Sequence, residues 1–180
     1  MMDKNSVLLV IDLQVGIVDG LPLHNNGQLL ATVNSLLSKA RAAGVEVIYV
    51  QHDGEKGHPV ETESPGWAIH PVIAPAPNEL VVRKRASDSF FETRLHEILQ
   101  ERAVKRLVIA GAMTQYCIDT ACRRAVSLGY DVILASDAHG TSDTKSLKAQ
   151  QIIDHHNHLL NGFDAGMCQV RVRPSGEIAF

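Results

Sequence analysis

The chain has 180 residues, 45% hydrophobic and 21% charged, a soluble balance for one domain with room for a core. A net charge of −3 gives no electrostatic reason to expect nucleic acid or an acidic membrane surface as partner. The three cysteines are an odd number and do not suggest a disulfide framework. The opening MMDKNS is polar and leads directly into an apolar run, reading as neither signal peptide nor anchor, so the expected setting is cytoplasmic with free thiols. Val7-Leu8-Leu9-Val10-Ile11 predicts a central parallel strand buried on both faces, ending at Asp12. No glycine-rich phosphate fingerprint follows it, which argues against a dinucleotide; no cofactor is expected. A loop with Gly16, Gly20 and Pro22 leads to a helix over 28–43, with Leu29, Val33, Leu36, Leu37 and Ala40 on its inner face and Gly44 closing it. Residues 45–50 predict the second strand.

From residue 51 to 78 the alternation breaks, with eight glycines and prolines and the one tryptophan, Trp67. A loop this long in a compact domain is usually functional, and here it is expected to cover a pocket. Leu80-Val81-Val82 predicts a third strand leading to Arg83-Lys84-Arg85, and a helix follows over 93–101. Leu107-Val108-Ile109-Ala110 then reads as the fourth strand. After Gly111, Ile118, Ala121, Ala125 and Leu128 fall at helical spacing, with Gly129 as C-cap. Cys117 therefore stands in the first turn of that helix, where the helix dipole favours a thiolate. This stretch alone fits a small buried thiol as well as a nucleophile. Residues 131–135 predict a fifth strand, 145–160 a polar helix and 169–172 a last strand, with turn chemistry at Pro174-Ser175-Gly176 and a tail able to add an edge strand.

Alternating strands and helices without an internal linker imply one domain, 1–180, of class α/β: a mainly parallel sheet with helices on both faces. Sites in such folds lie at the carboxyl ends of strands. Asp12, Lys84 and Cys117 occupy three of those ends, and their convergence favours catalysis.

The segments VLLVIDLQ, VRKRASDSFFETRLHEIL and LVIAGAMTQYCIDTACRRAVSLGYDVILASDA resemble the isochorismatase-like cysteine hydrolases over nearly the whole chain. The resemblance implies a three-layer α/β/α fold with a six-stranded, Rossmann-like sheet. It also implies an Asp12-Lys84-Cys117 triad, a cis peptide at Ala112–Met113 and an oxyanion hole from the backbone N–H groups of Met113 and Cys117. The expected activity is cofactor-independent hydrolysis of a small amide-like molecule through a thioester. Hydrolysis of a vinyl ether, and a non-catalytic thiol-sensing or assembly module, are the competing readings. Gln14 matches the family's D-x-Q and is expected to orient loop or substrate groups; Trp67 and Phe91 are expected to wall the pocket. The family also implies homo-oligomers. His52, Asp53 and His58 stand where nicotinamidases of this superfamily bind a metal through Asp-x-His. The order here is His-Asp, so no metal is expected.

Overall fold

In the computed structural model, which describes residues 5–180, seven strands form one sheet in the order β3-β2-β1-β4-β5-β7-β6. Its opening MMDK, part of the polar lead-in read from the sequence, lies outside the described residues. β1 (Ser6–Ile11), β2 (Glu46–His52), β3 (Leu80–Lys84), β4 (Arg106–Ala112), β5 (Asp131–Gly140) and β7 (Cys168–Arg173) run parallel. The seventh strand, β6 (Asp164–Ala165), pairs antiparallel with β7 at the sheet edge; it precedes β7 in the chain, so the edge strand does not come from the C-terminal tail that was expected to supply one. The tail itself makes a short 3₁₀ turn, Ser175–Glu177, and tucks Ile178 into the core.

The apolar runs read as central strands because both faces are covered. Along β1, Leu8 and Val10 point to the layer of α1 (Val15–Val18) and α2 (Asn26–Ala42). Val7, Leu9 and Ile11 point to α3 (Leu95–Glu101), α4 (Asp119–Ser127) and the end of α5 (Ala149–Leu160). Leu29, Val33, Leu36 and Leu37 of α2 are all buried, each contributing about 1.5–3 kcal/mol relative to exposure. α1 was hidden in the glycine- and proline-containing loop. A Cβ at Gly16 would stand 1.9 Å from the Pro59 carbonyl oxygen, so only glycine lets the long segment close over this short helix.

Two further differences have local causes. α5 begins at Ala149 rather than 145, because Asp143 and Thr144 accept hydrogen bonds from the N–H groups of Ala149, Ser146 and Leu147. β5 continues through polar Ser136-Asp137 to Gly140, after a register shift against β4 between Ile109 and Gly111. Gly111 has φ 138°, and a Cβ there would meet the Ile11 carbonyl oxygen at 2.1 Å. Glycine is what allows β4 to approach β1 at its carboxyl end.

Chain order reverses between β1 and β4: β2 and β3 extend one way, β5 and β7 the other. Such a switch point leaves a crevice at the carboxyl ends of the two central strands. Asp12 follows one of them, and Cys117 follows the other.

Candidate active site

Asp12 leaves β1 with φ 52°, a left-handed conformation that Asp tolerates better than most residues, and its N–H donates to the Val50 carbonyl at 2.9 Å. Lys84 ends β3, two strands away, and its side chain reaches past the end of β2 to Asp12. Nζ lies 2.7 Å from Asp12 Oδ2, with side-chain exposures of 0% and 5%. Nζ also donates to the Ser87 carbonyl at 3.2 Å. The second carboxylate oxygen, Oδ1, is buried without a hydrogen-bond partner. Such an atom is costly to keep unless something supplies a proton or a donor to it.

Cys117 sits in a wide, π-type turn, Thr114–Ile118, that continues into α4. Met113, just before it, follows a cis peptide bond with Ala112. Asp12, Cys117, Ala112, Met113 and Tyr116 line a cleft of about 300 Å³, with Ile17 and Leu21 from the α1 region and His52, His58 and Pro59 from the other side.

The electrostatics reverse the expectation of an acidic thiol. Burial pushes the Cys117 pKa up to about 12, Asp12 adds to that, and Lys84 opposes it with a weaker effect than Asp12. The resting side chain is a neutral thiol. Burial also works against the Lys84 ammonium, but Asp12 and Cys117 outweigh it, and the pKa stands above its ordinary value. The site thus holds one carboxylate, one ammonium and one thiol, with a free carboxylate lone pair in the cleft.

The Isochorismatase domain family matches residues 6–159. The chain belongs to the isochorismatase family. It is similar to streptothricin hydrolase from Streptomyces noursei, 38% identical over 137 residues, which are 76% of this chain and 54% of that protein. The chain thus spans about half the length of that relative. A ureidoacrylate amidohydrolase from Agrobacterium fabrum is 27% identical over 173 residues, 75% of each chain. Among solved structures, an isochorismatase from Pseudomonas putida KT2440 superposes with TM-score 0.88 at 29% identity, covering 97% of this chain and 90% of that one.

Not every residue singled out in the sequence reaches the cleft of this isochorismatase-family fold. Gln14 is fully buried; its amide donates to the carbonyls of His52 at 2.9 Å and Trp67 at 2.8 Å and accepts from the His52 N–H at 2.9 Å. It ties the long segment to the end of β2. Trp67 stands outside the cleft, its indole N–H on Asp53 Oδ1 at 3.0 Å and the Arg83 guanidinium 4.9 Å over its ring. Phe91 is 55% exposed and lines a separate hollow with Arg83, Arg85 and Glu92. The long segment does wall the cleft, but through His58 and Pro59.

His52, singled out in the sequence only in connection with a metal, lines the cleft together with Asp12 and Cys117. Its Nδ1 is buried without a partner, and burial lowers its pKa, so the imidazole is neutral at pH 7. Its position at the end of β2, between the strands bearing Asp12 and Lys84, was the signal that could have found it. His58 Nδ1 accepts from the Val60 N–H at 3.2 Å, and both Asp53 oxygens are engaged by Arg83 at 2.9 Å. Among the described residues, no group of three or more His, Cys, Asp or Glu side chains stands close enough to hold a metal ion.

Proposed function

We propose that the protein hydrolyses a small carboxamide through a thioester on Cys117. The observation that carries this is the unpartnered Asp12 Oδ1, in a cleft shared with a neutral thiol and backed by Lys84 on Oδ2. As the Cys117 sulfur attacks the carbonyl carbon, its proton passes to Asp12 Oδ1 and the carbonyl π electrons move onto oxygen. Backbone N–H groups of Met113 and Cys117 stabilise that oxyanion. Asp12 then protonates the leaving nitrogen, the C–N bond breaks, and ammonia or an amine departs. Water gives a proton to Asp12 and attacks the thioester; the carboxylic acid leaves and the thiol recovers the proton. Lys84 stays protonated and holds the carboxylate in place.

The relative named for amidohydrolase chemistry supports a C–N bond as the target. A carboxamide panel read by ammonia or amine release, with mass spectrometry of protein quenched during turnover, tests the mechanism. An acyl adduct on Cys117 is expected. Full activity in Cys117→Ala would refute it and leave Asp12 as the acid of a vinyl-ether hydrolysis.

A further inference from the structure

Behind the turn that carries Cys117 runs a buried chain of hydrogen bonds that the chemistry above does not use. His139, on the extension of β5, is 3% exposed, and Thr114 is fully buried. Neither lines the cleft. His139 Nδ1 stands 3.0 Å from Thr114 Oγ1, and Nε2 stands 2.9 Å from Asn157 Oδ1 on α5. Asn157 Nδ2 donates to the Ser136 carbonyl at 3.0 Å, which turns the amide oxygen toward the imidazole. His139 therefore carries its proton on Nε2, and Nδ1 accepts from the Thr114 hydroxyl. Every bond in the chain has one direction.

This chain ends on the first residue of the nucleophile turn. Met113 stands at the cap position and offers no side-chain hydrogen bond. Its carbonyl takes the N–H groups of Tyr116 and Ile118 at 3.1 and 3.3 Å. The turn is wide, a rare geometry that is frequently found at functional sites. Its entry is held instead from outside, by the Thr114 hydroxyl on His139.

We infer that His139 is a positioning residue: through Thr114 it fixes the turn so that the Cys117 thiol and the Met113 N–H address the same carbonyl group. The inference rests on the acyl-enzyme reading above. Burial, the largest influence on His139, lowers its pKa to about 4, so the imidazole keeps this acceptor role at neutral pH.

Acylation by p-nitrophenyl acetate, read as a burst of nitrophenolate, is the probe, with iodoacetamide alkylation of Cys117 as a reference needing no oxyanion alignment. Thr114→Val removes the hydroxyl, keeps the volume and leaves the His139–Asn157 bond intact. It should lower the limiting acylation rate about 10- to 100-fold, the range expected of sub-ångström to ångström misplacement, with half-saturation and alkylation changed less than about threefold. Thr114→Ser should restore the burst, and Thr114→Val/His139→Phe should be no slower than the slower single variant. A wild-type burst in Thr114→Val, or equal losses in acylation and alkylation, would overturn the positioning role while a dead Cys117→Ala leaves the acyl-enzyme reading standing. No burst in the wild type, or an undiminished one in Cys117→Ala, would remove that reading and this inference together. Thr114→Val alone decides the matter if His139→Phe does not fold.

Discussion

Asp12→Asn should make Cys117 react faster with an alkylating agent while abolishing hydrolysis. The Asp12 charge raises the thiol pKa and does so more strongly than Lys84 lowers it, so removing it drops the pKa from its value of about 12. A unit charge about 4 Å away at an effective dielectric of about 20 is worth about 4 kcal/mol, or roughly three pKa units. Part of that is lost if Lys84, no longer held charged by Asp12, gives up its proton to burial. A fall of about one to three units follows. Each unit gives tenfold more thiolate but costs about threefold in intrinsic nucleophilicity. Alkylation at a fixed pH below both pKa values should therefore rise about 3- to 30-fold. The assay is the second-order rate constant for iodoacetamide between pH 6 and 10, with peptide mapping to separate Cys117 from Cys122 and Cys168. Carboxamide turnover on the same protein should fall at least about 100-fold, since the proton carrier is gone. Slower alkylation, or turnover that survives, would show that Asp12 does not stand to the thiol as the geometry implies.

Lys84→Met should act with the opposite sign, slowing alkylation of Cys117. It should also cost about 3–5 kcal/mol of folding stability by leaving the Asp12 carboxylate buried without its cation, read as a lower urea midpoint. Prolonged dialysis against a chelator should leave turnover unchanged, because Arg83 engages both Asp53 oxygens and, among the described residues, no three His, Cys, Asp or Glu side chains stand close enough to hold a metal ion; loss with recovery on adding zinc, iron or manganese would overturn this. Acid should destabilise the fold through His139. Its folded pKa of about 4 lies below the ordinary 6.5, so its stability contribution is whole above pH 6.5 and is lost as pH falls toward 4. The 2.5-unit gap corresponds to about 3 kcal/mol, and thermal unfolding of a folded His139→Phe should lack that part of the acid limb.

The sheet was legible because its central strands β1, β2 and β4 are apolar on both faces, as a doubly covered parallel sheet requires. Asp12, Lys84 and Cys117 were legible because each stands at the end of such a run. What escaped was set by contacts distant in sequence. α1 depends on Gly16 meeting Pro59, and β5 runs through Ser136-Asp137 because of pairing with β4, not because of its own residues. Gln14, Trp67 and Phe91 shared one difficulty: composition marks a residue as able to bind, but the fold decides which way it faces. Gln14 spends its whole amide on backbone, and Phe91 faces solvent two residues from buried Ser89. The high pKa of the thiol escaped for a related reason. The helix terminus is visible in sequence, whereas burial and the Asp12 carboxylate sharing the cleft are not.

That high pKa is compatible with a nucleophilic role once the proton's destination is specified. A value of about 12 measures the release of the thiol proton to bulk water, which would leave the buried site with a net negative charge. In the proposed reaction the proton goes to Asp12 instead. Before the transfer the three groups carry carboxylate, ammonium and thiol, and after it carboxylic acid, ammonium and thiolate; the sum is zero in both. The large cost of placing an uncompensated charge in a buried site therefore does not enter, and Lys84 is paired with an anion throughout. Asp12→Asn separates these two quantities. It makes the thiol more acidic toward water and takes away the internal acceptor, so alkylation and hydrolysis should move in opposite directions. A thiol whose reactivity depended only on its ionised fraction would move both the same way.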